Sequence, residues 1–581
     1  MYIMFTLRND VMASMSFFLR VVFVIVTCQG LAIPAPTSDK KESLSYDNFT
    51  HHEALDENYH LYWNANATHI VFKTRVKTNG YIGFGISPNG GMPGSDIVIG
   101  WVKDGVTHWS DRHADGKVMP QVDAQHNWQL LSGVEEGGHT SLVFVRRLDT
   151  CDPDDRPINT GTTRVIFSYH PVDPGADDRV PYHGASRRGT KSIYLLDSPI
   201  AEKDGAPLPN DVFTVDFLNE NFSVPGNDTY YNCRVMKLPN LTQKHHMIRY
   251  EPLIQVGHTQ LVHHLVLFYC LGTVDDKYVG REYNCDDGTP EDLRVCDQVF
   301  IAWAVGGQPF NYPVHVGHPV GTTDNPGFFM LETHYNNPGL KTEYVDGSGL
   351  RLFLTKQLRQ FDAAIIDTGV NTDTYQIVPP HYKSFISSGH CHHDCLAQGL
   401  GSKEIHVFAN LLHGHLLARK LRTRHFRNGI ELSPLLEDNN YDFNYQEMRV
   451  LKEERTIKAG DSLITDCDYD STSHKDITYG GLPSTSEMCQ AFLLYYPKVA
   501  LSRCVSRIRY KLTGPAVQSN VLDTVRSLNW TDADVRDRFR QDAYSSPIIE
   551  ICYTNATQFT INLQAKPNIT QEYQPPTLCS N

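Results

Sequence analysis

No long apolar run follows the first 32 residues, positive charge is not in excess, and neither an internal repeat nor a low-complexity segment interrupts the chain. The first lack argues against a membrane span beyond the N-terminus. The second argues against nucleic acid as a partner, since 52 Lys and Arg face 66 Asp and Glu and the formal net charge is −14. The third leaves a globular chain. At 581 residues it is too long for one core, and roughly two to four domains are expected. What is abundant is turn residues and aromatics, with 41 Gly, 32 Pro, 29 Tyr and 26 Phe. Together with short apolar runs, that predicts a mostly β protein.

The N-terminus is the exception. In "FFLRVVFVIVTCQGLAIPAP" a short apolar core ends at Gly30-Leu31-Ala32, with small residues at the minus-three and minus-one positions. Residues 1–32 therefore read as a cleaved signal peptide, with an uncleaved anchor as the alternative. Nothing apolar lies near "PPTLCSN", so no C-terminal anchor is expected. Asn-x-Ser/Thr sequons occur at Asn48, Asn66, Asn221, Asn227, Asn240, Asn529, Asn555 and Asn568. Of 13 cysteines, Cys28 would leave with the signal, and the remaining even number suits disulfides in an oxidising compartment. The expected location is the secretory pathway, secreted or luminal.

Alternating segments such as "HIVFKTRVKTNGYIGFGIS" and "SDIVIGWVKDG", broken at Asn79-Gly80 and Asp104-Gly105, predict a β-sandwich over 45–165. A linker is expected over 166–209, then units of short strands over 210–361 and 374–515, then a weakly patterned extension over 516–581. In that extension "DADVRDRFR" reads as a short helix with Asp532 or Asp534 near its start.

The chemistry lies in the histidines. His263 and His264 sit inside "QLVHHLVLFYC", where successive residues should point to opposite faces. Periodicity alone favours one core and one exposed imidazole. His334 closes the apolar strand of "FFMLETHYNNP". His413 and His415, two apart in "NLLHGHLLARKL", share a face. Met488 precedes Cys489 and an apolar strand, where a methionine is ordinarily core. His245-His246 begins a strand and reads as structural, and His51-His52 as exposed. Taken together, three histidines form one set, and two histidines with a methionine another. A thioether beside imidazoles favours copper over zinc, which also disfavours a zinc hydrolase.

These residues resemble a known family. "YYNC", "RYEP", "VHHLVLFYC", "LETHYNNP", "GHCHHDC", "LHGHLLARK" and "TSEMC…YYP" occur in the order seen in the copper type II, ascorbate-dependent monooxygenases, over about 212–504. The first unit resembles the DOMON domain of the dopamine β-hydroxylase-like branch. The resemblance implies an N-terminal DOMON β-sandwich followed by two antiparallel, jelly-roll-like copper lobes. It implies two coppers, with His263, His264 and His334 at the electron-transfer site and His413, His415 and Met488 at the O2 and substrate site, each in its own lobe across a cleft. Tyr231 and His413 are implied as catalytic. Ascorbate, O2 and a small aromatic or amine-bearing substrate are the implied partners, and a homo-oligomer through the DOMON domain is possible in the family. The implied disulfides are Cys233–Cys285, Cys270–Cys296, Cys391–Cys504, Cys467–Cys489, Cys395–Cys552 and Cys151–Cys579. Adjacent imidazoles could share an ion if one used Nδ1 and the other Nε2, helped by a bulge.

The chain departs from the family in places. Gly414 stands where His-Thr-His is usual, which suggests looser ligand geometry. Phe492 replaces a tyrosine near the substrate, and Leu411 replaces the arginine of peptide-hydroxylating members. In "GHCHHDC", His390, His392 and His393 read as loop histidines, with a weak metal site as the alternative. Met92 occupies the turn where haem-binding DOMON domains carry a ligand, with His170 as the best partner, though packing, dimerisation or a small ligand is the preferred reading. A non-catalytic copper- or ligand-binding protein on the same fold is the competing function.

Overall fold

The computed structural model describes residues 48–175, 179–196, 208–271, 274–322, 327–514, 520–554, 557–563, 569–575 and 579. The signal segment and the sequons at Asn555 and Asn568 lie outside them. Among the described sequons, Asn48, Asn221, Asn227, Asn240 and Asn529 are exposed and Asn66 is half-buried. No helix among the described residues is long and apolar enough to cross a membrane.

The described residues are mostly strand. The N-terminal sandwich packs a five-stranded against a six-stranded sheet, with Phe72, Phe84, Trp128 and Phe144 between them. It does not stop at 165. Strand Thr162–Tyr169 pairs strand Arg188–Tyr194, which closes the edge of the second sheet. Much of the expected linker is therefore part of the domain. The segment carries Gly and Pro, yet "RGTKSIY" alternates well enough to pair.

The N-terminal lobe packs two sheets. One holds strands Thr229–Lys237, Phe328–Asn336 and Val262–Tyr269 side by side, with Phe328–Asn336 in the middle. The C-terminal lobe packs a seven-stranded sheet on a four-stranded one. Its central strand Ala364–Val370 lies between Cys489–Tyr496 and Leu501–Ile508, so this lobe begins before the expected 374. The described residues of the extension carry regular structure as well. Helix Ala533–Ser545 begins at Asp532, whose side chain accepts the Asp534 N–H at 2.9 Å, and strands Ile548–Thr554 and Gln558–Leu563 extend the large sheet.

The lobes share a core. One apolar cluster contains Ile301 and Trp303 of the first lobe with Leu411, Phe492 and Leu494 of the second. Six disulfides are formed: Cys151–Cys579, Cys233–Cys285, Cys270–Cys296, Cys391–Cys504, Cys395–Cys552 and Cys467–Cys489. The first of them spans 428 residues.

Candidate metal centre

Register brings the first set together. Tyr231 lies opposite His334 in one ladder, and His334 lies opposite His264 in the next. The second ladder shifts register between Val262 and His264, placing a bulge at His263. That irregularity turns two adjacent imidazoles to one point, where a regular strand would split them. His264 Nδ1 is 3.5 Å from His263 Nδ1 and 3.3 Å from His334 Nδ1. The expected split between Nδ1 and Nε2 is thus wrong, since all three rings turn Nδ1 inward. Their outer nitrogens differ. His263 Nε2 donates to the Phe443 carbonyl at 3.2 Å, His264 Nε2 lies 3.6 Å from Glu332, and buried His334 Nε2 has no hydrogen-bond partner. Burial first, then neighbouring imidazoles, pushes His263 down to about 3, and burial alone pushes His264 to about 4. Three buried neutral imidazoles that converge through Nδ1 fit a metal better than they fit one another.

The second set sits at a strand end. In strand Ile405–Gly414, Leu411 lies opposite Phe492, His413 opposite Gln490 and Gly414 opposite Cys489. This antiparallel register carries Met488 and His415 past the ends of paired strands on the same side. His413 Nδ1 donates to Gln446 Oε1 at 2.8 Å and His415 Nδ1 to the Ser486 carbonyl at 3.1 Å. Those bonds fix the tautomer and leave each Nε2 as the donor to a metal. The two rings stand 5.2 Å apart at 89°. Burial pushes His413 down to about 4 and His415 well below its usual value. Two neutral imidazoles with a thioether at hand form a donor set suited to copper.

Gly414 is not loose. Its N–H donates to the Tyr441 hydroxyl at 3.1 Å and its carbonyl accepts from that hydroxyl at 2.6 Å. A Cβ there would lie 3.0 Å from Ala418 Cβ and 3.2 Å from the Met488 carbonyl. A side chain there would press on both neighbours, so close packing rather than mobility suits glycine to this position.

The two sets face one another at close range across the lobe boundary. The rings of His264 and His413 are 6.0 Å apart. Both open on an interlobe cavity of about 450 Å3, lined also by Tyr231, Glu332, Met488 and Phe492. Tyr231 stacks on His334 at 4.4 Å and donates to the Leu482 carbonyl of the other lobe at 2.8 Å. Asp367, on the same wall, is paired with Arg503 at 2.6 Å.

Several residues here have no motif to announce them. Glu332 could have been read from its place two residues before His334, on the same strand face. Glu487 accepts the N–H groups of His415, Leu417 and Met488 at 3.0, 2.6 and 3.2 Å, which holds the second set's backbone together. Its position beside Met488 was the available signal. Phe443 and Gln446 lie in a polar stretch with no periodicity.

The remaining histidines divide as follows. His246 is buried and bonded to Asp362 at 2.8 Å. His51 is half-buried and His52 exposed. His390 is buried on strand Phe385–Cys391, so it is not a loop residue. His392 caps helix His393–Leu400 and His393 is exposed. In the DOMON domain Met92 lines a cavity of about 820 Å3, but His183 lines it and His170 does not. His170 stacks on Tyr81 instead.

The chain matches the profile described as copper type II ascorbate-dependent monooxygenase, N-terminal domain, over residues 215–342, its C-terminal domain over 361–514, and the DOMON domain over 55–170. It is 43% identical to the DBH-like monooxygenase protein 1 of Gallus gallus over 452 residues, which is 77% of this chain and 73% of that one. The human protein of the same name is 40% identical over 79% of this chain and 75% of its own. Human dopamine beta-hydroxylase is 30% identical over 96% of this chain and 92% of its own.

Proposed function

Since this chain belongs to the copper type II, ascorbate-dependent monooxygenases, we propose that it hydroxylates a C–H bond of a small aromatic or amine-bearing substrate with O2 in the interlobe cavity. The observation that carries this reading is that one cavity opens on both ligand sets. His263, His264 and His334 would hold one copper, and His413, His415 and Met488 the other. Bound copper supplies one-electron transfer at both sets and O2 activation at the thioether set. The balance is substrate, O2, two protons and two electrons from ascorbate, giving hydroxylated product and water. Two electrons call for two one-electron sites, which the two sets provide.

The chain's own residues position and exclude. Tyr231 presses the His334 ring flat and ties the lobes together through Leu482. Burial pushes Glu332 up to about 7, and a cationic amine beside it would hold it ionised. Val266, Phe268, Trp303 and Phe492 give the cavity apolar and aromatic walls, suited to a flat ring and to keeping water out. The disulfides support a reaction in an oxidising compartment, the secretory lumen or beyond it. A homo-oligomer through the DOMON domain remains part of the reading.

The test uses copper-loaded, secreted protein with ascorbate, 18O2 and a panel of arylalkylamines and phenols. The expected result is ascorbate-dependent product carrying one 18O atom. A protein that holds two coppers per chain yet oxygenates none of the panel would favour the binding-protein reading.

A further inference from the structure

One short segment, residues 438–446, touches all three domains and both ligand sets. Its inner side meets the site. Tyr441 brackets Gly414 through two hydrogen bonds. Phe443 accepts from His263 through its carbonyl and stacks on the same imidazole at 4.1 Å. Gln446 donates to that carbonyl at 2.7 Å and accepts from His413 at 2.8 Å. Gln446 and the Phe443 carbonyl thus link the outer nitrogen of an N-lobe imidazole to that of a C-lobe imidazole through three hydrogen bonds. The segment is also closed onto the N-terminal lobe. Gln446 N–H donates to the Val305 carbonyl at 3.3 Å, and a Cβ on Gly306 would lie 2.6 Å from the Tyr445 ring.

Its outer side is gripped by the DOMON domain, by the two strands that complete the sandwich edge. Thr162 donates to Asp438 through its N–H at 3.2 Å and its hydroxyl at 2.6 Å. Arg164 donates to the Tyr441 carbonyl at 2.8 Å, and Ser192 donates to Asp442 at 2.6 Å. Tyr194 packs on Tyr445 at 4.7 Å and beneath the Arg449 guanidinium. Beyond Asp438, which ends strand Ile430–Asp438, the segment is built of turns, so these contacts together with those to the two lobes set its conformation.

We propose that the DOMON domain is a positioning element of the catalytic site: through Thr162, Arg164 and Ser192 it holds the 438–446 strap, and the strap fixes the imidazoles of His263 and His413 together. The proposal rests on the copper-ligand reading above. Outer partners of ligating imidazoles set ring orientation and basicity, and losing one typically costs about 10–100-fold in metal affinity or activity. Thr162, Arg164 and Ser192 touch neither set, so they are positioning residues. Their signature is that one change in the DOMON domain moves both sets at once.

The experiment compares the full chain with Thr162→Val/Ser192→Ala, with the hydroxyl-keeping Thr162→Ser/Ser192→Thr, and with Gln446→Leu on the strap itself. Copper affinity at each set is read by competition with a chelator, and geometry by the electron paramagnetic resonance spectrum of bound Cu(II). Thermal melts report folding. The expected result for Thr162→Val/Ser192→Ala is weakening of both sets, by about tenfold, with a changed spectrum and a retained cooperative melt. The hydroxyl-keeping pair restores both readouts, and Gln446→Leu shifts both sets further. Wild-type affinity and spectrum in the Val/Ala variant, or a change at one set only, would overturn the proposal. If that variant does not fold, unchanged sets in Gln446→Leu would overturn it equally. A wild-type chain that binds no copper would overturn the ligand reading and the proposal with it.

Discussion

In the N-terminal lobe three imidazoles turn Nδ1 toward one another and Nε2 away, while in the C-terminal lobe two imidazoles give Nδ1 to Gln446 and Ser486 and keep Nε2 free. The difference follows from where each set lies. His263, His264 and His334 are embedded in paired strands, so the donors must converge close to the backbone, and Nδ1 is the nearer nitrogen. His413 closes its strand and His415 follows it, where the chain is leaving the sheet and a ring can reach outward with Nε2. Met488 adds a flexible thioether to that open end. The first set is thus framed by ladders on each side, and the second by side-chain and loop contacts.

The strongest way to break this comparison is to remove one ligand from each set. His263→Ala and Met488→Ile should each lower bound copper from about two per chain to about one, measured by metal analysis after dialysis, and each should abolish ascorbate-dependent turnover. Loss of both coppers in either variant would mean that the sets form one site, not two.

A smaller effect should distinguish ladder from loop. Glu487→Gln removes an acceptor from the three N–H groups that shape the second set, while Glu332→Gln alters a side chain set on a ladder. Glu487→Gln is expected to cost about 1–3 kcal/mol in urea unfolding and to weaken copper at the second set. Glu332→Gln should leave stability nearly unchanged. Equal losses would remove the distinction.

Steric fit at the second set gives the next prediction. Gly414→Thr restores the residue usual in the family but forces a Cβ against Ala418, at an expected cost of about 1–3 kcal/mol. Ala418→Gly in the same chain should recover most of it, read from denaturant midpoints. Failure of the pair to recover would mean that the Met488 carbonyl, not Ala418, sets the limit.

The smallest effect serves as a control away from both sets. The His246 hydrogen bond, then the Lys244 ammonium, holds the Asp362 carboxyl down to about 2 against an ordinary 3.8. A carboxylate held down in the fold stabilises above its unfolded value and loses that contribution as pH falls through the folded one. Asp362→Asn should melt lower than the parent at pH 6 and converge with it by about pH 2. Because the pair is partly exposed, salt should shrink the gap. A gap that persists at pH 2 would assign the effect to packing.

Strand content, the order of the lobes and the helix begun by Asp532 were legible because they follow from alternation, turn residues and a capping side chain. The two candidate sets were legible as motifs but not as geometry. No pattern in "LVHHLV" reveals that a bulge turns both rings inward through the same nitrogen, since that depends on the neighbouring strand's register. Gly414 pointed the wrong way for a related reason, because its freedom is visible in sequence and the Tyr441 hydroxyl that bonds it is not. The DOMON edge over Arg188–Tyr194 was hidden among turn residues. The 438–446 strap carries no periodicity at all, because its shape comes from its own Asp438 and Asp442 turns and from contacts with three domains.

The bridge between Cys151 and Cys579 has a topological consequence. It joins Cys151, inside the first domain, to the tail and closes a covalent ring that takes in both lobes. A protease that cuts once between Leu195 and Val212 opens the ring without releasing the DOMON domain, which stays attached through the tail. Such a nicked molecule would run as one band until a reductant is added and then separate into two. After that single cut, loss of the domain from the lobes would also require reduction of the bridge, which an oxidising compartment withholds.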